Sequence, residues 1–143
     1  MIGIFIALIS GILMSLQGVF NTQVTKSTSI WVAGSWVQFS ALFICLVAWF
    51  FTDRKSFGTI LQVEPKYMLF GGVIGAFITY TVIQSMAQMG PAKAVMLIVV
   101  AQLISAYLIE IFGMFGVEKA VFEWKRLLGL GICIGGVILF KWE

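Results

Sequence analysis

Residues 67–112 read YMLFGGVIGAFITYTVIQSMAQMGPAKAVMLIVVAQLISAYLIEIF, and this stretch indicates the class of protein. Its only charged side chains are Lys93 and Glu110. A helix needs about 20 apolar residues to cross the hydrocarbon of a bilayer. Gly90-Pro91 divides the stretch into two such runs, because proline removes a backbone donor and glycine permits unusual dihedral angles. The stretch therefore predicts two transmembrane helices, at 67–89 and 92–112.

Three further apolar runs lie at 2–24, 30–51 and 127–142. The chain has 143 residues and is 61% hydrophobic and 10% charged, whereas a soluble domain carries about 25% charged residues. The first run has neither a basic segment before it nor a small-residue cleavage site after it, so we expect it to stay as a helix. We predict an all-α integral membrane protein: a bundle of five transmembrane helices in a single transmembrane domain, 1–143.

The charged loops set the predicted orientation. The loops 52–66 and 113–126 hold most of the charged residues and are predicted to lie in water. They place six basic residues on one side of the membrane: Arg54, Lys55, Lys66, Lys119, Lys125 and Arg126. The other side receives three: Lys26, Lys93 and Lys141. Basic loops stay in the cytoplasm. We therefore predict a multi-pass membrane protein with its N-terminus in the cytoplasm and its C-terminus outside.

The composition argues against several other classes of protein. The sequence has no histidine, and its two cysteines, Cys45 and Cys133, lie inside apolar runs. Metal sites and disulfide frameworks need more ligands or thiols, so we predict no metal and no cofactor, and interpret both cysteines as small core residues. We find no nucleophile–base pair or phosphate-binding loop, so we do not expect an enzyme. The net charge of +3 is dispersed, which argues against a nucleic-acid partner.

Polar side chains recur inside four of the predicted spans, where each needs a partner or water. The amides fall at comparable depths, and Gln17 and Asn21 share a helix face, as do Tyr80 and Gln84. One interpretation is a polar, aromatic-lined substrate cavity. The alternative is a set of interhelical hydrogen bonds worth about 1 kcal/mol each. The predicted substrate-binding residues are Gln17, Asn21, Trp36, Gln38, Tyr80, Gln84 and Gln102.

Tryptophan is enriched where a span meets the headgroups. Four of the five tryptophans lie at or near the ends of predicted spans, and we interpret them as membrane-interface anchors: Trp31, Trp49, Trp124 and Trp142. Trp36 lies deeper, which is why it is placed with the predicted cavity instead.

Glu110 is the only acidic residue inside a predicted span, near its cytoplasmic end. It either carries a coupling proton or pairs with a cation, or it is an ordinary charge at the membrane boundary. We keep it as a candidate coupling residue.

Glycines recur at helix-contact spacing in two spans, as Gly71 with Gly75 and as Gly131 with Gly135. Small residues allow close approach of helices in lipid. The pairs either pack helices within the chain or join two subunits.

Several short patterns together resemble the YdcZ-type family of short bacterial membrane proteins in the drug/metabolite transporter superfamily. The resemblance runs over nearly the whole chain. The matching residues are Gln17-x-x-x-Asn21, Phe39, Gly71-Gly72-x-x-Gly75, Gly90, Gln102, Glu110-Ile111-Phe112-Gly113, Gly116 and Arg126-x-x-Gly129. The chain departs from the family where Glu110-Ile111 replaces a frequent Asp-His and Ala101 replaces a glycine. Related small multidrug exporters have a glutamate in the first span, where this chain has Met14 and Gln17, so their exchange mechanism is not carried over.

The resemblance implies a half-transporter, because superfamily members with inverted repeats resemble two five-helix halves. Carriers of this kind rock two repeats around a shared site, and we find no internal repeat here. We therefore expect an antiparallel dimer, with either a second copy or a homologous subunit. The predicted function is secondary transport of a small polar or cationic metabolite or drug. A non-transporting accessory or assembly subunit is the alternative, and a channel is a weaker one because no ring of like charges appears.

Overall fold

The computed structural model describes residues 2–141, and the regular structure in that range is helical throughout. The five α-helices are α1 (Ile2–Ser27), α2 (Ile30–Phe51), α3 (Gly71–Met89), α4 (Pro91–Phe112) and α5 (Trp124–Lys141). Three short 3₁₀ helices occupy the loops, at Phe57–Gln62, Lys66–Phe70 and Met114–Gly116. The predicted all-α class is confirmed.

Four helical segments are long and apolar enough to cross a membrane: Ile2–Ser27, Ile30–Phe51, Lys66–Met89 and Pro91–Phe112. Their mean hydropathy lies between 1.5 and 2.3. The helix α5 is not among them. It has 18 residues and includes Lys125, Arg126 and Lys141, which are charges that hydrocarbon disfavours. The fifth crossing at 127–142 therefore stays a prediction, and its last residue, Trp142, lies outside the described residues.

Local chemistry explains where the helices begin. Ser29 precedes α2, and its hydroxyl oxygen accepts a hydrogen bond from the backbone N–H of Val32 at 3.3 Å. Such a cap satisfies a donor that the first turn leaves free. Pro91 is the first residue of α4, where no helical hydrogen bond needs its missing N–H. Gly90 before it has φ +83°, which favours glycine. The predicted break at Gly90-Pro91 is confirmed.

Contacts divide the chain into two compact units, Met1–Gln88 and Met89–Glu143. In the first unit, the buried residues come from all three helices and lie where α1 ends, α2 begins and α3 ends. They are Gly18, Asn21, Thr22, Ala33, Ile83 and Met86. The N-terminal half of α1 is exposed along its length. The first unit is therefore packed at one end of its helices, and that end carries its in-span amides.

In the second unit, α4 contacts α5 and the 3₁₀ helix Met114–Gly116. The connection between the two α-helices folds back onto the end of α4, since the backbone N–H of Ala120 donates to the Glu110 carbonyl oxygen at 2.9 Å. The Tyr107 hydroxyl donates to the Glu123 carbonyl oxygen at 3.3 Å. These bonds hold the loop 113–123 to the last turns of α4.

Two sequence-based expectations differ from the structure. Cys45 and Cys133 are exposed, so the interpretation of both as core residues was wrong. Each cysteine lies on a helix face that its own unit leaves uncovered. The second difference concerns the loop 52–66, which was predicted to lie in water because of its charged residues. It contains the 3₁₀ helix Phe57–Gln62 and exposes several apolar side chains.

Candidate functional site

A cleft opens between the first turns of α2 and the middle of α3. Its volume is about 130 Å³, and its lining residues combine aromatic rings, hydroxyl groups, an amide and small side chains: Ile30, Trp31, Gly34, Ser35, Gln38, Ala76, Thr79 and Tyr80. The lining follows helical spacing on both walls. Residues 31, 35 and 38 recur along one face of α2, and residues 76, 79 and 80 along one face of α3. The cleft is therefore a product of two facing helix surfaces.

Aromatic stacking closes one end of the cleft. The ring centroids of Trp31 and Tyr80 lie 5.2 Å apart, with 23° between the ring planes. Pairs in this geometry contribute about 0.5–1.5 kcal/mol beyond their buried area. Trp31 thus packs on a neighbouring helix, in addition to any role at the membrane interface.

The polar wall is held by long hydrogen bonds. The Gln38 amide nitrogen donates to the Thr79 hydroxyl oxygen at 3.5 Å. The Gln84 amide nitrogen donates to the Tyr80 hydroxyl at the same distance, 3.5 Å. Bonds between nitrogen and oxygen are strongest near 2.9–3.0 Å and weaken beyond it. These two amides can therefore exchange a weak internal bond for a stronger one to a bound molecule.

The lining contains no charged residue. An anion would find no cationic partner there, whereas a cation would find aromatic faces together with hydroxyl and amide oxygens. A neutral polar molecule would find hydrogen-bond donors and acceptors. The chemistry of the cleft therefore favours polar neutral or cationic ligands over anionic ones.

The structure brings three of the predicted site residues together. Gln38 and Tyr80 line the cleft, and Gln84 bonds to Tyr80 from one turn further along α3. Trp36 lies elsewhere, because it faces away from α3 on the outer side of α2. It is 63% exposed and borders a shallow groove of about 440 Å³ with Trp31, Val32, Ser35 and Phe39.

Asn21 and Gln17 differ in environment although they are one helical turn apart. Asn21 is buried beside Thr22, where α1 packs within the first unit, whereas Gln17 is exposed. The Thr22 hydroxyl donates back to the Gly18 carbonyl oxygen at 2.8 Å, and the Thr25 hydroxyl donates to the Asn21 carbonyl oxygen at 2.9 Å. Neither amide lines the cleft between α2 and α3.

Three lining residues of the cleft were not among the predicted site residues: Trp31, Ser35 and Thr79. The available signal was periodicity: Trp31 and Ser35 lie three and seven residues before Gln38, and Thr79 adjoins Tyr80. Trp31 was assigned to interface anchoring because it lies at a span end. From the sequence, Trp31 fits an interface anchor as well as a residue of the cleft. Its contact with Tyr80 on α3 identifies it as part of the cleft.

The second unit holds the remaining predicted residues. Gln102 is exposed on α4. Glu110 pairs with Arg126 at the start of α5, with 2.9 Å between the carboxylate oxygen and the guanidinium nitrogen, and both side chains are about half exposed. Arg126 also lies 3.6 Å from the Glu123 carboxylate. Glu110 therefore has a cationic partner within its own unit, and its role as a coupling residue stays a prediction.

The predicted glycine pairs are uncovered within their own units. Apart from adjacent residues and its own helix backbone, a Cβ placed on Gly71 or Gly75 would meet no atom of the first unit within 4 Å, and the same holds for Gly131 and Gly135 in the second unit. Gly18 differs from these glycines, because an added Cβ there would lie 2.5 Å from the Met86 methyl carbon. Among the described residues, no group of three or more His, Cys, Asp and Glu side chains is arranged to hold a metal ion.

Comparison with known protein families identifies a relationship over nearly the whole chain. The model of the family described as "Putative inner membrane exporter, YdcZ" matches residues 2–139, which is nearly the whole chain. No curated protein and no solved structure matches the chain.

Proposed function

Because the chain belongs to the YdcZ family, we propose that it is a subunit of a secondary transporter for a small polar or cationic metabolite or drug in the bacterial inner membrane. The family description concerns export, which favours movement out of the cell. The uncharged, aromatic and amide-lined cleft between α2 and α3 is the observation that supports this substrate class.

The size of the cleft supports a dimer. Sites for small molecules enclose about 300–1,000 Å³, and the cleft holds about 130 Å³. A second subunit that covers the open side would complete the site. A partner would also cover Gln17 of the first unit, which is exposed within a span where an amide facing lipid is costly.

An odd number of spans makes this proposed dimer antiparallel. If α5 crosses the membrane, each copy has five spans. Two copies related by a pseudo-twofold axis in the membrane plane, as in inverted-repeat carriers, then insert in opposite directions. The uncovered glycine pairs, Gly71 with Gly75 and Gly131 with Gly135, offer surfaces for close helix contact with the partner. The partner is a second copy or a homologous subunit.

Choline is the probe that tests the proposed substrate class, because it combines a quaternary ammonium group with a hydroxyl. We expect choline to raise the melting temperature of the purified protein in a concentration-dependent way. The uncharged carbon analogue 3,3-dimethylbutan-1-ol has the same shape without the charge, and we expect a much smaller shift from it. A panel of polar metabolites and other quaternary ammonium compounds extends the measurement. Equal shifts from choline and its analogue would contradict cation recognition, and no shift from any compound would favour the accessory-subunit alternative.

Labelling of single cysteines tests the proposed orientation. In a chain with Cys45→Ala and Cys133→Ala, Thr28→Cys and Gln62→Cys lie in loops on opposite sides of the predicted membrane. With the N-terminus in the cytoplasm, we expect a membrane-impermeant maleimide to label position 28 in intact cells and position 62 only after lysis. Partial labelling of both positions in cells that express this chain alone would instead show dual insertion and a homodimer. Labelling of position 62 alone would reverse the proposed orientation.

Glu110 is the proposed coupling residue. Protonation would remove the charge that pairs with Arg126, and this ion pair joins the end of α4 to the start of α5. We expect Glu110→Gln to lose most proton-driven accumulation of substrate in proteoliposomes while substrate exchange without a gradient persists. Glu123→Gln is the matched control, since Glu123 contacts the same arginine from outside the spans. Unchanged proton-driven accumulation in Glu110→Gln would leave Glu110 as a boundary charge.

A further inference from the structure

The connection between α2 and α3 contains a short amphipathic 3₁₀ helix, Phe57–Gln62. In a 3₁₀ helix, side chains three residues apart lie above one another. Phe57 and Ile60 therefore form an apolar row, with Leu61 beside it, and Thr59 and Gln62 form a polar row. All three apolar side chains are exposed, Leu61 most of all at 75%. An apolar row of this kind needs a covering, and its own unit leaves about half or more of each of these side chains exposed.

The position of this helix in the chain indicates what covers it. Two membrane-length segments flank it, Ile30–Phe51 before and Lys66–Met89 after. Both its ends are therefore tied to points where the chain enters the bilayer. The connection is too short and too structured to extend far from that surface.

Contacts with the end of α2 hold the 3₁₀ helix at that level. The Trp49 indole N–H donates to the Lys55 carbonyl oxygen at 2.9 Å, and the Trp49 and Phe57 ring centroids lie 4.8 Å apart. Arg54 folds back over the last turn of α2, with its guanidinium 4.4 Å from the centre of the Phe50 ring. Tryptophan and arginine at a span end mark the headgroup layer.

We propose that the 3₁₀ helix Phe57–Gln62 lies flat in the headgroup layer, with Phe57, Ile60 and Leu61 inserted into the acyl boundary. The occupant of its exposed apolar row is the phospholipid bilayer. The flanks carry a small basic excess, with Arg54, Lys55 and Lys66 against Asp53 and Glu64, and Lys66 pairs with Glu64 at 3.0 Å. This leaves Arg54 and Lys55 on the α2 side as the basic residues that favour anionic lipid headgroups. Burial of an apolar face beside a basic flank is how interfacial helices bind membranes. The segment thus acts as a surface anchor between two spans, whatever molecule the chain transports.

Spin labels at adjacent positions test this proposal. In the chain with Cys45→Ala and Cys133→Ala, a nitroxide is attached to Ile60→Cys or to Thr59→Cys, and each protein is reconstituted in vesicles of phosphatidylethanolamine and phosphatidylglycerol. Oxygen concentrates in the acyl region and a nickel chelate in water, so the ratio of their collision rates reports depth. We expect the oxygen-to-nickel ratio at position 60 to be several-fold higher than at position 59.

A second matched pair, Leu61→Cys and Gln62→Cys, keeps the test valid if one labelled variant does not fold. Leu61 belongs with the apolar row and Gln62 with the polar row, so the same several-fold difference is expected. High nickel access at both apolar positions would place the helix in water and overturn the proposal. Protection of both apolar positions from oxygen and nickel together would show that protein covers the row, which also overturns it.

Discussion

Replacing Gly18 with leucine is expected to lower the free energy of unfolding of the protein by about 1–3 kcal/mol, the range for overpacking a well-packed site. A Cβ at Gly18 would lie 2.5 Å from the Met86 methyl carbon, 2.8 Å from the Met86 sulfur and 3.2 Å from a Val82 methyl carbon. The tip of a methionine side chain can move, but Met86 is only 3% exposed and has little room. A leucine side chain therefore forces α1 and α3 apart. Denaturation of the purified protein in mixed micelles measures the loss.

Gly11→Leu is the matched control for this substitution. Gly11 lies on the same helix, and a Cβ there would have no atom of the first unit within 4 Å. Both substitutions change helix propensity equally, so their difference isolates the clash. Met86→Ala should restore part of the stability of Gly18→Leu because it removes the obstructing atoms. Equal losses from Gly11→Leu and Gly18→Leu would show that the contact of Gly18 with Met86 does not hold the helices together.

The sequence predicted the helices well because hydropathy alone fixes where a chain enters and leaves lipid. The predicted span 30–51 coincides with α2, and 92–112 begins one residue after Pro91. The predicted span 67–89 begins as a 3₁₀ helix, Lys66–Phe70, before α3. In α5 the apolar residues favour a membrane crossing, whereas the charged residues oppose it. Hydropathy alone therefore does not predict this crossing as it predicts the others.

The sequence predicted helix contacts poorly, and the reason is physical. In water, an apolar stripe shows which face of a helix is buried, but in lipid every face is apolar and only small residues mark a possible approach. Gly18 makes the close contact within the first unit, whereas Gly71 and Gly75 lie open there. Spacing of glycines shows where helices are able to meet. It does not show which partner they meet.

The same limit applies to the cleft. Gln38 and Tyr80 were predicted because a polar atom inside a span needs a partner, and that rule holds without coordinates. Trp31 could not be distinguished from an anchor, because its contact is with Tyr80 on another helix. Gln17 and Asn21 do not line the cleft, and they remain predicted site residues together with Gln102 of the second unit.

Replacing Trp31 with alanine is expected to weaken substrate binding by about 2- to 30-fold, which corresponds to the loss of about 0.5–2 kcal/mol of cation–π attraction. The substitution removes the ring that stacks on Tyr80 at one end of the cleft, so it also loosens the orientation of Tyr80. Trp31→Phe keeps an aromatic face and should retain most of the affinity. The apparent dissociation constant for choline, or for the compound with the largest thermal shift, measures the effect.

Trp36→Ala provides the matched control, because it removes the same side chain from the same helix. Trp36 is 63% exposed and Trp31 is 69% exposed, so both substitutions remove an exposed indole from the membrane. Only Trp31 lines the cleft with Gln38 and Tyr80. We therefore expect Trp36→Ala to leave the dissociation constant within about twofold of the unchanged protein, a difference below about 0.5 kcal/mol. A larger loss of affinity from Trp36→Ala than from Trp31→Ala would move the binding site to the outer groove of α2, where the second subunit would have to supply the opposite wall.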